Sequence, residues 1–584
     1  MSAMSSKARL FALAVSFAPC LLPQLVKQSA RPPGSLEQLG LVIPMRDGVR
    51  LAVDVFLPQA TGRWPAVLFR TPYNRKGPAS HGYRQFVGRG YAVVIQDVRG
   101  RFASQGNFGT PDQEGPDGYD TLNWIAEQPW SNGRVAMAGA SYVGIVQWWA
   151  AVEDNPHLAA IAPMFSGDDE YLDRFYSTGG AFKLGHRLLW VAENLTPPAN
   201  VKPLFSSYID HLPLRTADVA ATGVEVPLWR TALEHPSYDT YWKARSVRER
   251  WDRVKIPVLS FGGWFDNYVE SDLDMFSRLS SAHRPVETWI GPWAHNPGAR
   301  FGTHAFGRTA VIPFRATQMD FFDSLLRKTD PGASPPNQPL LHIFVMGPDI
   351  WREEHEWPLA RTRFTPLYLD SNGHANTKEG DGALQWRPVR SAHPDAFKYD
   401  PEDAVQTAGG PICCDPVILP PGPLDQTKIE NRSDVLVYTS PVLNEDVEVT
   451  GPVKAVLYVS TSSNDTDFTA KLVDVQPEGG ALEVCDGIQR LRYRLSLAKP
   501  VFVKRNATYQ ITVDAGVTSW LFSRGHRIRL EISSSNFPRF DRNLNSSASN
   551  ASATKITIAH QTVYHEKVYP SAVILPLIPK GSGS

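Results

Sequence analysis

The stretch Gly139-Ala140-Ser141-Tyr142-Val143-Gly144 follows a short apolar run at 134–138 and leads into a predicted helix at 142–154. A serine in such a strand-to-helix turn is held with its hydroxyl exposed above the sheet. The usual pattern is G-x-S-x-G, whereas here Val143 occupies the second position after the serine and the glycine follows one residue later. Gly-x-Ser alone is as typical of a simple tight turn as of a catalytic serine. The strand before it and the helix after it favour a nucleophile elbow here.

Short strands alternate with helices on both sides of this turn. This alternation predicts an α/β fold, in which a parallel sheet is covered on both faces. The predicted elements are a hairpin at 41–57 around Asp47-Gly48, strands at 64–70, 91–96, 134–138, 158–163, 256–261 and 286–290, and helices at 111–128, 142–154 and 314–328.

Two further regions depart from this alternation. The interval 168–250 is helical in tendency and rich in aromatic residues, so we interpret it as an insertion that caps the sheet. After Pro331, short β runs separated by turn residues predict an antiparallel sandwich or jelly roll. These runs lie at 341–346, 365–369, 435–439, 453–460, 468–475, 490–496, 508–514 and 527–533.

Composition limits the partners and the sites. The 584 residues exceed one ordinary domain, and 59 basic residues balance 59 acidic ones, which argues against nucleic acid or an anionic membrane as the main partner. The four cysteines cannot form a disulfide framework, and adjacent Cys413 and Cys414 have no ligands at zinc-site spacing. We expect buried free thiols, with Cys485 as the one candidate for a bridge.

The first thirty residues differ from the rest. Lys7 and Arg9 precede an apolar run at 10–22, which resembles a secretory signal and is too short to span a bilayer. Pro19 and the lack of a small-x-small cleavage site near Ala30 depart from that pattern. The segment favours a secreted or periplasmic location over a cytoplasmic one. No other stretch of the sequence is long enough to be transmembrane.

A nucleophilic serine needs a base and a group that orients the base. In this fold the acid and then the histidine follow the serine along the chain. Asp266 comes just past the strand at 256–261, and His295 just past the strand at 286–290, where open α/β sheets hold their sites. These positions predict a triad with Ser141. Taken singly, Asp266 is typical of an aspartate in a turn or at a helix cap. Any one of the 15 histidines, His295 included, is more often structural than catalytic.

Acyl transfer also needs donors for an oxyanion. The backbone N–H of Tyr142, directly after the serine, is one candidate. Tyr73, in the loop Arg70-Thr71-Pro72-Tyr73 after an early strand, offers a phenolic O–H. Spacing alone favours Tyr73 as a packed loop residue.

Several spaced motifs follow one another along the chain. They are Arg70-Thr-Pro-Tyr73, Gln96-Asp-Val-Arg-Gly-Arg101, the elbow stretch after Gly133-Arg134, Gly262-Gly-Trp-Phe-Asp266, Gly291-Pro-Trp-Ala-His295, Phe344-Val-Met-Gly347 and Gly525-His-Arg-Ile-Arg-Leu530. Together they resemble the cocaine-esterase-like (CocE/NonD) acyl hydrolases, which are related to the X-Pro dipeptidyl-peptidase (S15) family. The resemblance covers nearly all of the chain after about residue 36.

The resemblance implies an α/β-hydrolase core at 36–167 and 251–350, a helical cap at 168–250 and a jelly-roll domain at 351–584. It implies Ser141 as nucleophile, His295 as base and Asp266 as its partner, with an acyl-enzyme as intermediate. It also changes Tyr73 from a packing residue to an oxyanion donor beside Tyr142. No cofactor and no metal ion are implied.

Residues near the candidate triad bear on the substrate class. Related α-amino-acid ester hydrolases hold an ammonium with carboxylates close after the catalytic aspartate, and here Asn267, Tyr268 and Val269 stand before Glu270. The acids Asp168, Asp169, Glu170 and Asp173 are more typical of a helix start than of an ammonium site. We therefore favour small, mostly uncharged carboxylic esters. Aromatic candidates for the pocket are Trp148, Trp264 and Tyr268, each of which is more often a core residue.

Two alternatives stay open. One is an amide-bond enzyme, either an X-Pro dipeptidyl peptidase or an acylase. The other is a non-enzymatic binding protein on a hydrolase scaffold. We expect a small-molecule partner, with a homodimer as an open option.

Overall fold

A computed structural model describes residues 35–327, 338–388 and 393–581 of the chain. The leader-like segment predicted at 1–30 lies outside these residues. Among the helices that are described, none has the length and apolar character needed to cross a bilayer.

The first twelve strands form a large sheet and a small hairpin. Their bounds are β1 Leu36–Pro44, β2 Arg50–Leu57, β3 Trp64–Thr71, β4 Ala92–Asp97, β5 Ser131–Ala140, β6 Leu158–Met164, β7 Val258–Phe265, β8 Val286–Ala294, β9 Arg300–Phe301, β10 His304–Ala305, β11 Leu340–Val345 and β12 Ile350–Glu354. Strands β9 and β10 pair with each other, and the other ten form one sheet in the order β1-β2-β4-β3-β5-β6-β7-β8-β11-β12.

The centre of this sheet is parallel. Strands β4, β3, β5, β6, β7, β8 and β11 run in the same direction, while β1, β2 and β12 are antiparallel to their neighbours. Both β4 and β7 are buried along their whole length, as expected for strands covered on both faces. The predicted parallel sheet and the hairpin around Asp47-Gly48 are therefore confirmed.

Ten α-helices accompany the strands in the described residues. Their bounds are α1 Pro78–Tyr83, α2 Gln85–Gly88, α3 Glu114–Glu127, α4 Tyr142–Ala151, α5 Leu184–Leu195, α6 Ala217–Thr222, α7 Pro227–Glu234, α8 Thr240–Lys243, α9 Val269–Ser281 and α10 Phe314–Phe322. Helix α9 follows β7 directly and was not predicted. The predicted helix at 314–328 is shorter, because a π-helical turn at Asp323–Arg327 replaces its end.

The inserted helical segment lies between β6 and β7 and contains α5 to α8. It opens with a π-helical turn, Glu170–Phe175. Its aromatic side chains pack on one another, as in the ring contacts of Tyr171 with Trp242 and of Phe182 with Trp229. The aromatic excess of this part of the sequence therefore forms an apolar interior.

The remaining strands form a second, mostly antiparallel sheet of eleven strands. Their bounds are β13 Arg363–Asp370, β14 Ala383–Gln385, β15 Asp395–Tyr399, β16 Leu436–Thr439, β17 Val447–Thr461, β18 Asp467–Val475, β19 Ala481–Arg490, β20 Tyr509–Phe522, β21 Arg527–Ser533, β22 Ala559–Tyr564 and β23 Ala572–Leu577. The order is β15-β22-β17-β23-β13-β14-β16-β21-β18-β19, with β20 paired to β17. This is the β-rich domain that the sequence predicts. The predicted domain boundaries stay predictions.

The strand predicted at 490–496 is wrong. Arg490 is the last residue of β19, and Leu491–Tyr493 forms a 3-10 turn. The backbone N–H of Arg492 donates to the carboxylate of Asp465 at 2.8 Å, so a side chain satisfies the group that a neighbouring strand would otherwise bond.

The cysteine prediction also needs correction. Cys413 and Cys414 form a disulfide with each other, and Cys485 is a buried free thiol. The bridge to Cys485 considered from the sequence is therefore not formed. Cys414 lies in a loop of the β-rich domain. Its carbonyl accepts a hydrogen bond from the side chain of Asn296, which follows His295 in the chain.

Candidate active site

Ser141 lies between β5 and α4 in a conformation that few residues adopt. Its φ is 59° and its ψ is −130°, which costs of order 1–3 kcal/mol and persists only where the surroundings enforce it. Its N–H donates to the carbonyl of Met164 at the end of β6, and its carbonyl accepts from Gly144 and Ile145 in the first turn of α4. These bonds hold the turn from both sides.

The two glycines of this turn are explained by close approach. Gly139 has a φ of 131°, and a Cβ there would overlap the side chain of Val143. A Cβ on Gly144 would lie 2.5 Å from the hydroxyl oxygen of Ser166. Gly139 thus makes room for Val143, and the second tight position falls one residue later than in G-x-S-x-G.

The structure brings Ser141, His295 and Asp266 together. His295 Nε2 lies 2.9 Å from Ser141 Oγ, and His295 Nδ1 lies 3.1 Å from Asp266 Oδ1. The side chain of Asp266 is fully buried, whereas that of His295 is 11 % exposed. Both residues come directly after the ends of β7 and β8, which are neighbours in the sheet.

A second carboxyl group lies behind the candidate triad. Asp272, in the first turns of α9, is buried, and burial together with the nearby charge of Asp266 raises its pKa well above the ordinary value. Of these two carboxyl groups, Asp266 is the one that contacts the histidine.

Tyr73 and Trp190 complete the surroundings of the serine hydroxyl. The hydroxyl oxygens of Tyr73 and Ser141 are 3.3 Å apart, and the indole N–H of Trp190 donates to the Tyr73 oxygen at 3.3 Å. Trp190 comes from α5 of the inserted segment, and its ring stacks on that of Tyr142. The aromatic residues of this segment predict a cap, but the sequence pattern does not indicate that Trp190 belongs to the site.

The two groups of Tyr142 have separate surroundings. Its backbone N–H is in the first turn of α4, where an amide has no acceptor within the helix. Its side chain is buried, and its hydroxyl donates to the carboxylate of Glu114 at 3.1 Å. Burial raises the pKa of Tyr142 well above its usual value. Only the backbone of Tyr142 is therefore suited to face an oxyanion.

The three predicted pocket residues differ. The ring of Tyr268 lies 5.6 Å from that of His295, centroid to centroid. Trp264 donates its indole N–H to the carbonyl of Phe344, and Trp148 is buried in the hydrophobic core. Among the described residues, only Tyr268 of these three makes a ring contact with a candidate triad side chain. Trp264 also lines a cavity together with Asp266, whereas the contacts of Trp148 are those of a core residue.

The acids at the start of the inserted segment are engaged with protein groups. All four are buried. Their side-chain partners are Arg248 for Asp168, Tyr238 and Ser246 for Asp169, Arg174 for Glu170, and Ser271 for Asp173. Asp173 also accepts from the backbone N–H groups of Asp168 and Asp169, and burial raises its pKa to about 8. This arrangement fits a structural role better than an ammonium site.

A second Ser–Asp–His cluster lies in the β-rich domain. Ser371 Oγ is 2.6 Å from Asp395 Oδ2, and His565 Nε2 lies within 3.1 Å of both side chains. One histidine nitrogen thus contacts both partners, so the ring cannot relay a proton from serine to a carboxylate on its far side. All three side chains are buried, and Tyr438 also donates to Asp395. We interpret this cluster as structural.

Comparisons with known proteins agree with this architecture. The family model of the X-Pro dipeptidyl-peptidase (S15 family) matches residues 47–297, and that of the X-Pro dipeptidyl-peptidase C-terminal non-catalytic domain matches residues 313–574. The fold and these matches define an α/β-hydrolase-type catalytic domain followed by a non-catalytic β-rich domain, as in serine hydrolases.

Individual relatives show to which family of hydrolases the chain belongs. Cocaine esterase of Rhodococcus sp. (strain MB1 Bresler) is 39% identical over 567 residues, covering 92% of this chain and 98% of the relative. The chain therefore belongs to the cocaine-esterase-like family of acyl hydrolases and is an enzyme.

Two solved structures are similar over nearly their whole length. An α-amino acid ester hydrolase has a TM-score of 0.79 at 26% identity, with 96% of this chain and 100% of that chain covered. An aminopeptidase from a marine sediment archaeon, Thaumarchaeota archaeon, has a TM-score of 0.81 at 25% identity, with 98% and 99% covered.

Proposed function

We propose that this protein is a serine esterase that cleaves small, mostly uncharged carboxylic esters through an acyl-enzyme on Ser141. The observation that carries the proposal is the hydrogen-bond chain from Ser141 Oγ through both nitrogens of His295 to the buried Asp266. Family membership supports a hydrolase, and the relative that is 39% identical is named as an esterase.

The first half of the reaction forms the acyl-enzyme. Ser141 Oγ attacks the ester carbonyl carbon while His295 Nε2 takes the hydroxyl proton. Asp266 accepts the Nδ1–H bond, which fixes the tautomer and stabilises the imidazolium. The carbonyl oxygen becomes an oxyanion that accepts hydrogen bonds from the Tyr73 hydroxyl and the Tyr142 N–H. The C–O bond then breaks, and His295 gives its proton to the leaving alcohol.

The second half returns the enzyme to its starting state. A water molecule gives a proton to His295 Nε2 as its oxygen attacks the acyl carbon. The same two donors stabilise the second oxyanion. Collapse of this intermediate releases the carboxylic acid and returns the proton to Ser141 Oγ.

A fluorophosphonate probe tests the assignment of Ser141. We expect the folded protein to be labelled at Ser141, and we expect Ser141→Ala to lose both labelling and ester hydrolysis. Ser371→Ala is the matched control, because it removes the hydroxyl of the other Ser–Asp–His cluster. Labelling at Ser371, or full activity of Ser141→Ala, would contradict the proposal.

Amide hydrolysis is the second candidate, because one similar structure is that of an aminopeptidase. A free substrate N-terminus needs a carboxylate to pair with, and the four acids at 168–173 already have partners. We therefore expect p-nitrophenyl acyl esters to be hydrolysed faster than Xaa-Pro-p-nitroanilides. A preference for the anilides would favour the peptidase.

A further inference from the structure

Arg187 is a buried cation with an unusual set of neighbours. It lies on α5, is 2 % exposed, and donates from Nε to the carbonyl of Arg174 at 3.0 Å. Its guanidinium carbon is 5.0 Å from the ring centroid of Phe175 and 5.6 Å from that of Trp190. Within the described ranges of the chain, no carboxylate forms an ion pair with it.

This distinguishes Arg187 from the other buried arginines. Buried charges in proteins are normally paired, because desolvation otherwise costs several kcal/mol. The other buried arginines of the described residues each follow this rule: Arg70 pairs with Glu114, Arg75 with Asp97, Arg174 with Glu170, Arg490 with Asp467, Arg492 with Asp465 and Arg539 with Asp486. Glu170, an acid whose charge acts on Arg187, is already paired with Arg174.

The neighbours of Arg187 lead directly to the candidate triad. Trp190, against which the guanidinium packs, donates to the Tyr73 oxygen beside Ser141. Tyr268, whose ring contacts His295, is among the groups that interact electrostatically with Arg187. Burial raises the pKa of Tyr268 to about 12, so the phenol is neutral and does not serve as a counter-ion. The unpaired guanidinium therefore packs against a side chain that hydrogen-bonds to Tyr73, the neighbour of Ser141.

We propose that Arg187 is a specificity-determining residue that binds a carboxylate carried by the ester substrate. The planar guanidinium matches a carboxylate with two parallel hydrogen bonds, and the aromatic faces of Phe175 and Trp190 hold it in one plane. The same charge repels an ammonium, in agreement with the missing acidic pair after Asp266. This inference rests on the proposed esterase function and adds one carboxylate to substrates that are otherwise uncharged.

Matched substrates test the inference and show where the carboxylate sits. Monoethyl glutarate and ethyl pentanoate differ only by a carboxylate in place of a methyl group at the end of the acyl chain. Carboxymethyl pentanoate carries the carboxylate on the alcohol side instead. Hydrolysis is followed by titration at constant pH, and kcat/KM is compared for the three esters. We expect one of the two anionic esters to exceed ethyl pentanoate by about 10- to 100-fold.

Variants tie the preference to this side chain. Arg187→Met should lower kcat/KM for the preferred anionic ester much more than kcat/KM for ethyl pentanoate, and Arg187→Lys should retain part of the preference. Arg215→Met is the control, because Arg215 is an exposed arginine of the same inserted segment that pairs with Glu234. It should leave all three rates unchanged. If Arg187→Met does not fold, the substrate preference of the unchanged enzyme and of Arg187→Lys still decides the question.

Three results would overturn the inference. The unchanged enzyme could show no preference for either anionic ester. Arg187→Met could keep the preference. All three rates could fall in parallel in Arg187→Met, which would mean a role in folding or in the reaction itself. Failure of the esterase proposal is distinguishable, since the unchanged enzyme would then hydrolyse none of the esters and would not be labelled at Ser141.

Discussion

The indole N–H of Trp190 donates a hydrogen bond to the hydroxyl oxygen of Tyr73 over 3.3 Å. An indole N–H can only donate, so the direction of this bond is fixed. The Tyr73 oxygen is the acceptor, which leaves its own proton free to point toward Ser141, 3.3 Å away. The inserted helical segment thereby orients a hydroxyl that belongs to the loop after β3.

Tyr73→Phe tests the oxyanion role. It removes one donor from the site, and we expect kcat for ester hydrolysis to fall by about 10²–10³ with little change in thermal stability. Tyr83→Phe is the control, since the Tyr83 ring stacks on Phe69 and its hydroxyl makes none of the hydrogen bonds found around Ser141 in the described residues. If Tyr73→Phe keeps full turnover, Tyr73 is a packing residue only.

Trp190→Phe tests whether the tryptophan acts through Tyr73. The substitution removes the N–H but keeps an aromatic ring against Tyr142. Loss of one neutral hydrogen bond predicts a decrease in kcat of roughly 5- to 10-fold, smaller than that of Tyr73→Phe. The double variant should be no slower than Tyr73→Phe alone, which a double-mutant cycle of kcat values measures. Additive losses would show that Trp190 acts independently of Tyr73.

Asp266→Asn tests the orientation of the histidine. An amide in this position presents the wrong partner to His295 Nδ1, and in another triad hydrolase the same change lowers kcat by about 10⁴. Asp272→Asn is the control, because it changes a neighbouring buried carboxyl group that, among the described residues, makes no hydrogen bond to His295. Asp272→Asn should lower kcat far less than Asp266→Asn does. Comparable losses in the two variants would assign the effect to folding, which circular dichroism would reveal.

Asp173 predicts a pH dependence of stability. Burial, reinforced by Asp168, raises its pKa to about 8 in the folded protein, against 3.8 as the ordinary value. Between these values the folded state holds a proton that the unfolded state has lost, so the free energy of unfolding falls as pH rises from about 4 to 8. This contribution is fully present below pH 4.

Asp173→Asn is neutral at every pH and should flatten that part of the dependence. Denaturant titrations at intervals from pH 5 to 7.5 measure the slope in both proteins. This window excludes most of the opposite effect of Lys183, whose pKa burial lowers to about 8 and which favours the folded state at higher pH. Equal slopes in the two proteins would show that Asp173 is ionised in the folded state.

Local patterns predicted most of the fold. Strands β3 to β8 were expected near their observed positions because apolar runs between turn residues are a local signal. Helix α9 was not predicted, although Val269, Leu273 and Phe276 are buried at helical spacing on one face. The false strand at 490–496 had the right residue types, but Asp465, which is distant in sequence, takes the N–H of Arg492.

The sequence by itself determined the α/β order of elements, and it predicted Ser141, Asp266 and His295 as the candidate triad because each follows the end of a predicted strand. Only the tertiary structure brought Trp190 to Tyr73, brought Tyr268 against His295, and left Arg187 without a carboxylate partner among the described residues. These relationships join residues that lie far apart along the chain. Their partners are chosen by how the inserted segment packs on the sheet, and the local pattern carries no record of that packing.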